Sequence, residues 1–211
     1  RDALRKGRPL AARRVSIGAA IPLAIVCLAA GLGAAWFHGH RFGGHALLWI
    51  ALAYAALQPL YSLWAKRVAE VGAVVVALGF VARAAAGAFA VDVRLSPWLL
   101  LCVFLLTFFV ALCKRRAAHF EKGAKMPSAA EGRILDLAIG LGGAATLATY
   151  TLYTLASETI ALYGTDHLVW TVPLVLLGIC RCLRLTYAER RAANPERLLF
   201  DPALLGLVLA W

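Results

Sequence analysis

Six apolar blocks follow one another along this chain, each about the length that carries a helix across a ~30 Å hydrocarbon layer, with short polar connections between them. A seventh block opens near Asp201 and runs to Trp211. With 62% hydrophobic and 16% charged residues among 211, a soluble domain would leave too much apolar surface in water. The blocks are continuous, whereas the strands of a membrane barrel alternate in polarity over ~10 residues. The pattern predicts an all-α fold, a polytopic membrane helix bundle, with helices near 15–37, 46–64, 69–91, 97–113, 134–157, 168–185 and 201–211 in one transmembrane domain. Ser96-Pro97 and Asp201-Pro202 each pair a capping side chain with a proline suited to a first helical turn. The charged opening, the initial Arg1 and the short last block read as a fragment of a longer chain.

If alternate connections share a side, 19 of the 22 Lys and Arg fall on one face. That face holds Arg1 to Arg14, Lys66 and Arg67, Lys114 to Arg133, and Arg181 to Arg197; the other holds Arg41 and Arg94, and Arg83 lies within a block. The excess of cations in short cytoplasmic loops makes the basic face the cytoplasmic one. The formal charge of +11 then has two readings. The loop cations set topology and touch anionic headgroups, or they converge on a phosphate-rich substrate whose oxygens Arg grips in pairs. Nucleic acid is a poor partner for a chain without a soluble basic module.

Cys27, Cys102, Cys113, Cys180 and Cys182 lack zinc-site or disulfide spacing and read as small packing residues. His38, His40 and His45 fall in the run HGHRFGGH, which has no carboxylate and reads as a glycine-rich turn ahead of a metal site. Gly79, Arg83 and Gly87 recur every four residues, so they share a helix stripe on which small residues admit a close neighbour. A charge there costs about 2.5–3.5 kcal/mol on insertion scales. Arg83 therefore faces a polar cavity in the protein, or it snorkels to the outer surface.

A set of ordered segments carries a resemblance. Tyr61-Ser62-Leu63-Trp64-Ala65-Lys66, Gly79-Phe80-Val81-Ala82-Arg83 with Ala86-Gly87, Ser96-Pro97-Trp98, and Lys114-Arg115-Arg116 come first. Tyr150-Thr151-Leu152-Tyr153-Thr154, Thr171-Val172-Pro173, Gly178 with Arg181, and Pro195 to Pro202 follow. Together they resemble the UbiA superfamily of intramembrane prenyltransferases, most of all its members that move phosphoribosyl groups onto decaprenyl phosphate. The likeness runs through nearly the whole chain.

The resemblance implies nine membrane helices around a cavity open to the cytoplasm and to lipid, of which seven, the third to the ninth, are present here. It implies a bacterial inner-membrane enzyme of cell-wall biosynthesis. That enzyme transfers a 5-phosphoribosyl group from phosphoribosyl pyrophosphate to a polyprenyl phosphate, with Mg²⁺ and release of pyrophosphate. Lys6, Arg8, Lys66, Lys114, Arg115, Arg116 and Arg181 are then phosphate-binding residues, with Lys6-Gly7-Arg8-Pro9 as the basic end of the family's first motif. Arg83 and Tyr61 are the catalytic candidates, and Asp136 and Asp2 the metal candidates. Blander readings stand beside these: an interfacial anchor for Tyr61, a helix-end anchor for Arg181, and a charge favourable to a helix dipole for Asp136.

Two departures from the family pattern weaken the metal expectation. Gly72 stands where members carry aspartate, and Ala117-Ala118 follow the Lys-Arg-Arg run where an acid is usual. A prenyltransferase with a prenyl diphosphate donor shares the same logic. A transporter or non-catalytic membrane protein is a third reading, and it predicts internal repeats and paired intramembrane charges.

Overall fold

The computed structural model describes residues 16–63, 69–94, 96–121, 129–189 and 200–211, and every regular element among them is helical. The long helices are α1 (Ile17–Phe42), α2 (Ala46–Leu63), α3 (Ala69–Ala90), α4 (Pro97–Glu121) and α5 (Ala129–Leu155). A short α6 (Ser157–Tyr163) and a 3-10 turn (His167–Thr171) lead into α7 (Val172–Tyr187), and α8 (Pro202–Ala210) closes the described chain. Six segments are long and apolar enough to cross a membrane, the sixth being the 3-10 turn joined to α7. The protein is an all-α polytopic membrane bundle.

Its boundaries differ from the sequence reading at several ends. α1 continues past residue 37 to Phe42, so His38 and His40 are helical. Packing decides this. A Cβ added at Gly39 would sit 2.7 Å from His45 Nδ1 and 2.8 Å from the Gly44 carbonyl oxygen, so only glycine lets the turn fold back this tightly. Gly43, at φ 74°, then ends the helix with its N–H on the Gly39 carbonyl. α4 runs beyond residue 113 to Glu121, carrying Lys114-Arg115-Arg116 on helix rather than loop. Lys and Arg are good helix formers, and the Arg116 guanidinium lies over the Phe120 ring one turn on, 4.6 Å from its centroid.

The two expected caps behave differently. The Asp201 carboxylate accepts from the Leu204 N–H at 3.1 Å and caps α8. The Ser96 hydroxyl is buried without a hydrogen-bond partner among the described residues, so Pro97 opens α4 without a serine cap. Ser16, which the sequence did not single out, caps α1 through the Ala19 N–H.

α4 is the hub, packed against α3, α5 and α7, while α1 packs on α2 and α8 on α7. Its Phe109, Leu112 and Cys113 form a buried core with Ile139 of α5 and Ile179 of α7. The close helix approach that the Gly79–Gly87 stripe suggested occurs on α5 instead. A Cβ at Gly143 would meet both Ile179 and Phe109 at 3.3 Å, whereas one at Gly79 meets Tyr54 at 3.6 Å and one at Gly87 meets nothing. Cys102 and Cys113 are buried, as packing residues are; Cys27 and Cys180 are exposed on helix surfaces.

With six spans, the ends of α2, α4 and α7 and the starts of α1, α3, α5 and α8 share the basic face. In a background without the native cysteines, Ala130→Cys and Ala188→Cys are expected to be shielded from an impermeant thiol reagent in intact cells. Phe42→Cys and Asp166→Cys, at the opposite ends, are expected to react. Labelling of all four from outside would overturn the assignment of the basic face to the cytoplasm.

Candidate functional site

Two polar assemblies stand at the basic face, and a third lines an open cleft between two helices. In the first, the last turns of α4 bring Arg116 beside Asp136 of α5. Arg116 Nε donates to Asp136 Oδ1 at 2.7 Å and Nη2 donates to Oδ2 at 3.0 Å, a two-pronged pair. The Tyr187 hydroxyl of α7 donates to the same Oδ1 at 2.7 Å. With Phe120 under its face and the fork in place, the Arg116 side chain is only 14% exposed, and its direction is set by Phe120 of α4, Asp136 of α5 and, through Asp136, Tyr187 of α7. Lys114 is exposed beside it, and Arg115 is partly exposed.

In the second assembly Arg181 of α7 donates through Nε and Nη2 to the two oxygens of Asp201, at 3.0 and 2.6 Å, and through Nη1 to Glu189 at 2.6 Å. Arg184 approaches the same Glu189 oxygen at 3.6 Å. Hydrogen bonding to Arg181 holds the Asp201 carboxyl below its ordinary range against the opposing pull of burial, and backbone N–H groups of α8 help. Two carboxylates engage three of the five donors of Arg181, which ties α7 to the start of α8.

The cleft lies between α2 and α3. Tyr54, Gln58 and Tyr61 project from one face of α2 at i, i+4 and i+7, opposite Gly79, Phe80 and Arg83 of α3, around a volume of about 210 Å³. Arg83 donates from Nη2 to the Tyr54 hydroxyl, and its guanidinium carbon lies 4.8 Å from the Tyr54 ring centroid and 5.0 Å from that of Phe80. Arg83 is seven residues from the end of α3, about 10 Å inside the face opposite the basic one. Arg83 is exposed in the open cleft, and its hydrogen bond runs to a protein side chain.

Arg83 and Tyr61 thus share one cleft, and Arg116 and Asp136 share one ion pair. Arg181 stands apart from both, in its own carboxylate pair. Lys6, Arg8, Lys66 and Asp2 lie outside the described residues. Tyr54, Gln58, Tyr187, Glu189 and Asp201 were missed as site residues. The periodic α2 stripe was a readable signal for the first two, while the partners of the arginines come from distant chain segments and had none.

Among the described residues no group of three or more His, Cys, Asp or Glu stands together to hold a metal ion. Both oxygens of Asp136 are taken by Arg116, with Tyr187 added on one of them. The described residues by themselves do not fit Mg²⁺.

A last tie joins α5, the 3-10 turn before α7 and the end of α8 near the opposite face. The Trp211 indole donates to the Tyr150 hydroxyl at 2.6 Å, Tyr150 bonds Thr171 at 2.6 Å, and Thr171 donates to the Leu168 carbonyl at 2.6 Å. With the Thr171 proton committed to Leu168, Tyr150 is the donor to Thr171.

Comparison with known proteins matches residues 1–205 to the UbiA prenyltransferase family. The chain is 29% identical over 211 residues to a decaprenyl-phosphate phosphoribosyltransferase from Corynebacterium glutamicum, covering 97% of this chain and 62% of that protein. It is 30% identical over 183 residues to the uncharacterized protein y4nM of Sinorhizobium fredii, covering 82% of this chain and 34% of the other. It therefore spans less than two thirds of either relative. An all-helical membrane bundle matched to the family over nearly its whole length, this chain belongs to the UbiA prenyltransferase family.

Proposed function

We propose that the whole protein transfers a 5-phosphoribosyl group from phosphoribosyl pyrophosphate to a polyprenyl phosphate, decaprenyl phosphate in the first instance, and releases pyrophosphate at the cytoplasmic face of a bacterial inner membrane. The observation that carries this reading is the alignment of 97% of the chain with a decaprenyl-phosphate phosphoribosyltransferase. The physical layout agrees with such substrates: the polyprenyl tail dissolves among apolar helices while the charged heads meet the cations at the ends of α4 and α7.

In this reaction an oxygen of the acceptor phosphate attacks the anomeric carbon, and the bond from that carbon to the pyrophosphate oxygen breaks. No protein nucleophile is required. Lys114 and Arg115 are assigned to the departing pyrophosphate, whose developing charge is the electrostatic problem of the step. Arg116 contributes from a direction fixed by Asp136 and Tyr187, so Asp136 serves as its counter-charge. Arg181 is assigned to holding α8 in place through Asp201. Lys6, Arg8 and Lys66 retain the phosphate role that the resemblance gave them, and Asp2 the metal role. Divalent-metal dependence, with Mg²⁺ as the ion, is proposed from family membership.

The test is incorporation of radiolabelled phosphoribosyl pyrophosphate into the lipid phase by the full-length protein, with and without a chelator, beside an assay with a prenyl diphosphate donor and aromatic acceptors. Label entering lipid in the first assay, and lost on chelation, is expected. Product in the second assay alone would replace this reading with that of a prenyltransferase, which the aromatic lining of the α2–α3 cleft would also suit.

A further inference from the structure

A cation deep in a membrane helix is costly unless an anion or a polar cavity receives it. Arg116 and Arg181 have carboxylates. Arg83 has none among the described residues. The residues lining its cleft include no Asp or Glu among those described, and its partners are the Tyr54 hydroxyl and two aromatic faces. Those contacts orient the guanidinium without neutralising it. The cleft is therefore arranged to receive an anion, and its other polar groups are neutral: Gln58 and Tyr61 lie four and seven residues from Tyr54, about 6 and 10 Å along α2 toward the basic face.

We propose that this cleft holds the 5-phosphate end of the donor, with Arg83 on the phosphate, Tyr54 fixing Arg83, and Gln58 and Tyr61 along the ribose hydroxyls. The assignment rests on the phosphoribosyl reading above and adds the donor's orientation to it. Two considerations select the 5-phosphate over the pyrophosphate. Pyrophosphate leaves, so it must lie on the side with a path to water, which is the basic face; the 5-phosphate stays with the product and can be bound deep. The more highly charged end belongs with the several cations of that face, and the single deep cation matches a single phosphate.

The experiment measures binding without turnover, by calorimetry on the full-length protein in detergent, with ribose 5-phosphate and with inorganic pyrophosphate as separate probes. Arg83→Gln is expected to weaken ribose 5-phosphate at least about tenfold, the worth of a charge-assisted phosphate contact, and to leave pyrophosphate within about twofold. Tyr54→Phe, which frees Arg83 without removing it, is expected to give a smaller loss with the same selectivity, and Arg83→Lys to recover part of the affinity. Removing the charge lowers the insertion cost, so Arg83→Gln enters the membrane at least as well as the native chain. Equal loss of both probes, loss of pyrophosphate alone, or no ribose 5-phosphate binding by the native protein would overturn the assignment. The lipid-labelling assay answers the separate question of the reaction. A native protein that labels lipid from phosphoribosyl pyrophosphate while Arg83→Gln binds ribose 5-phosphate normally would refute the orientation and leave the reaction standing.

Discussion

Phe109→Ala is expected to destabilise the bundle by about 2–3 kcal/mol, estimated as a cavity of roughly 100 Å³ at about 24 cal/mol per Å³. Phe109 is fully buried, and its ring fills the space that Gly142 and Gly143 leave on α5 next to Ile179 of α7. In a membrane the unfolded helices remain in lipid, so the transfer part of the usual penalty is small and the lost packing dominates. Unfolding in mixed detergent micelles measures the effect. Leu141→Ala, at an α5 residue that is 71% exposed, is the control and is expected to fall within about 0.5 kcal/mol of the native protein. Equal effects at the two positions would mean that the α4–α5–α7 contact is not the core of the bundle.

Asp201 gives the second expectation, and its sign depends on pH. Asp201→Ala removes both the α8 cap and the two bonds to Arg181, while Asp201→Asn keeps an equally good capping side chain and loses the charge. The cap alone is worth ~1 kcal/mol, about 2–4 °C for a chain of this size, and the ion pair adds to it. Because the folded carboxyl titrates below its unfolded value of about 3.9, its charged-state stabilisation is complete above that pH and is lost as pH falls through the folded value. Native protein and Asp201→Asn should therefore differ in melting temperature by a constant amount from pH 7 to about 5 and converge below about 4. A gap that widens with acid would show that Asp201 is stabilised in its neutral form.

Arg181 illustrates how such partners escape a sequence reading. From the sequence it was one more cation on a basic face, and phosphate was a natural partner. Asp201 is twenty residues on and Glu189 eight, and nothing in their spacing says that α7 and α8 place them around one guanidinium. Asp136 was read as a metal candidate because carboxylates are scarce in this chain. Its two oxygens meet Arg116 and Tyr187, residues 20 before it and 51 after it. The pairing of Arg83 with Tyr54 spans 29 residues and two helices. Its depth and its place on a helix stripe were readable from the neighbouring sequence, but its partner was not.

The class of fold, the run of helices and the family were legible in the amino-acid order, because membrane insertion is decided locally: each apolar block meets the hydrocarbon as a single helix, and the flanking cations orient it. Helix ends were less legible where packing overrode local signals, as at Gly39, where the fold-back of His45 carries α1 to Phe42. Packing in three dimensions settled which glycines bring helices together, which of the described basic-face arginines are held by carboxylates, and that Arg83 lies in a cleft with aromatic and amide neighbours but no acid among those described. The physical reason is that a charge finds its partner through space: cations alike in sequence acquire different roles according to which helix faces theirs.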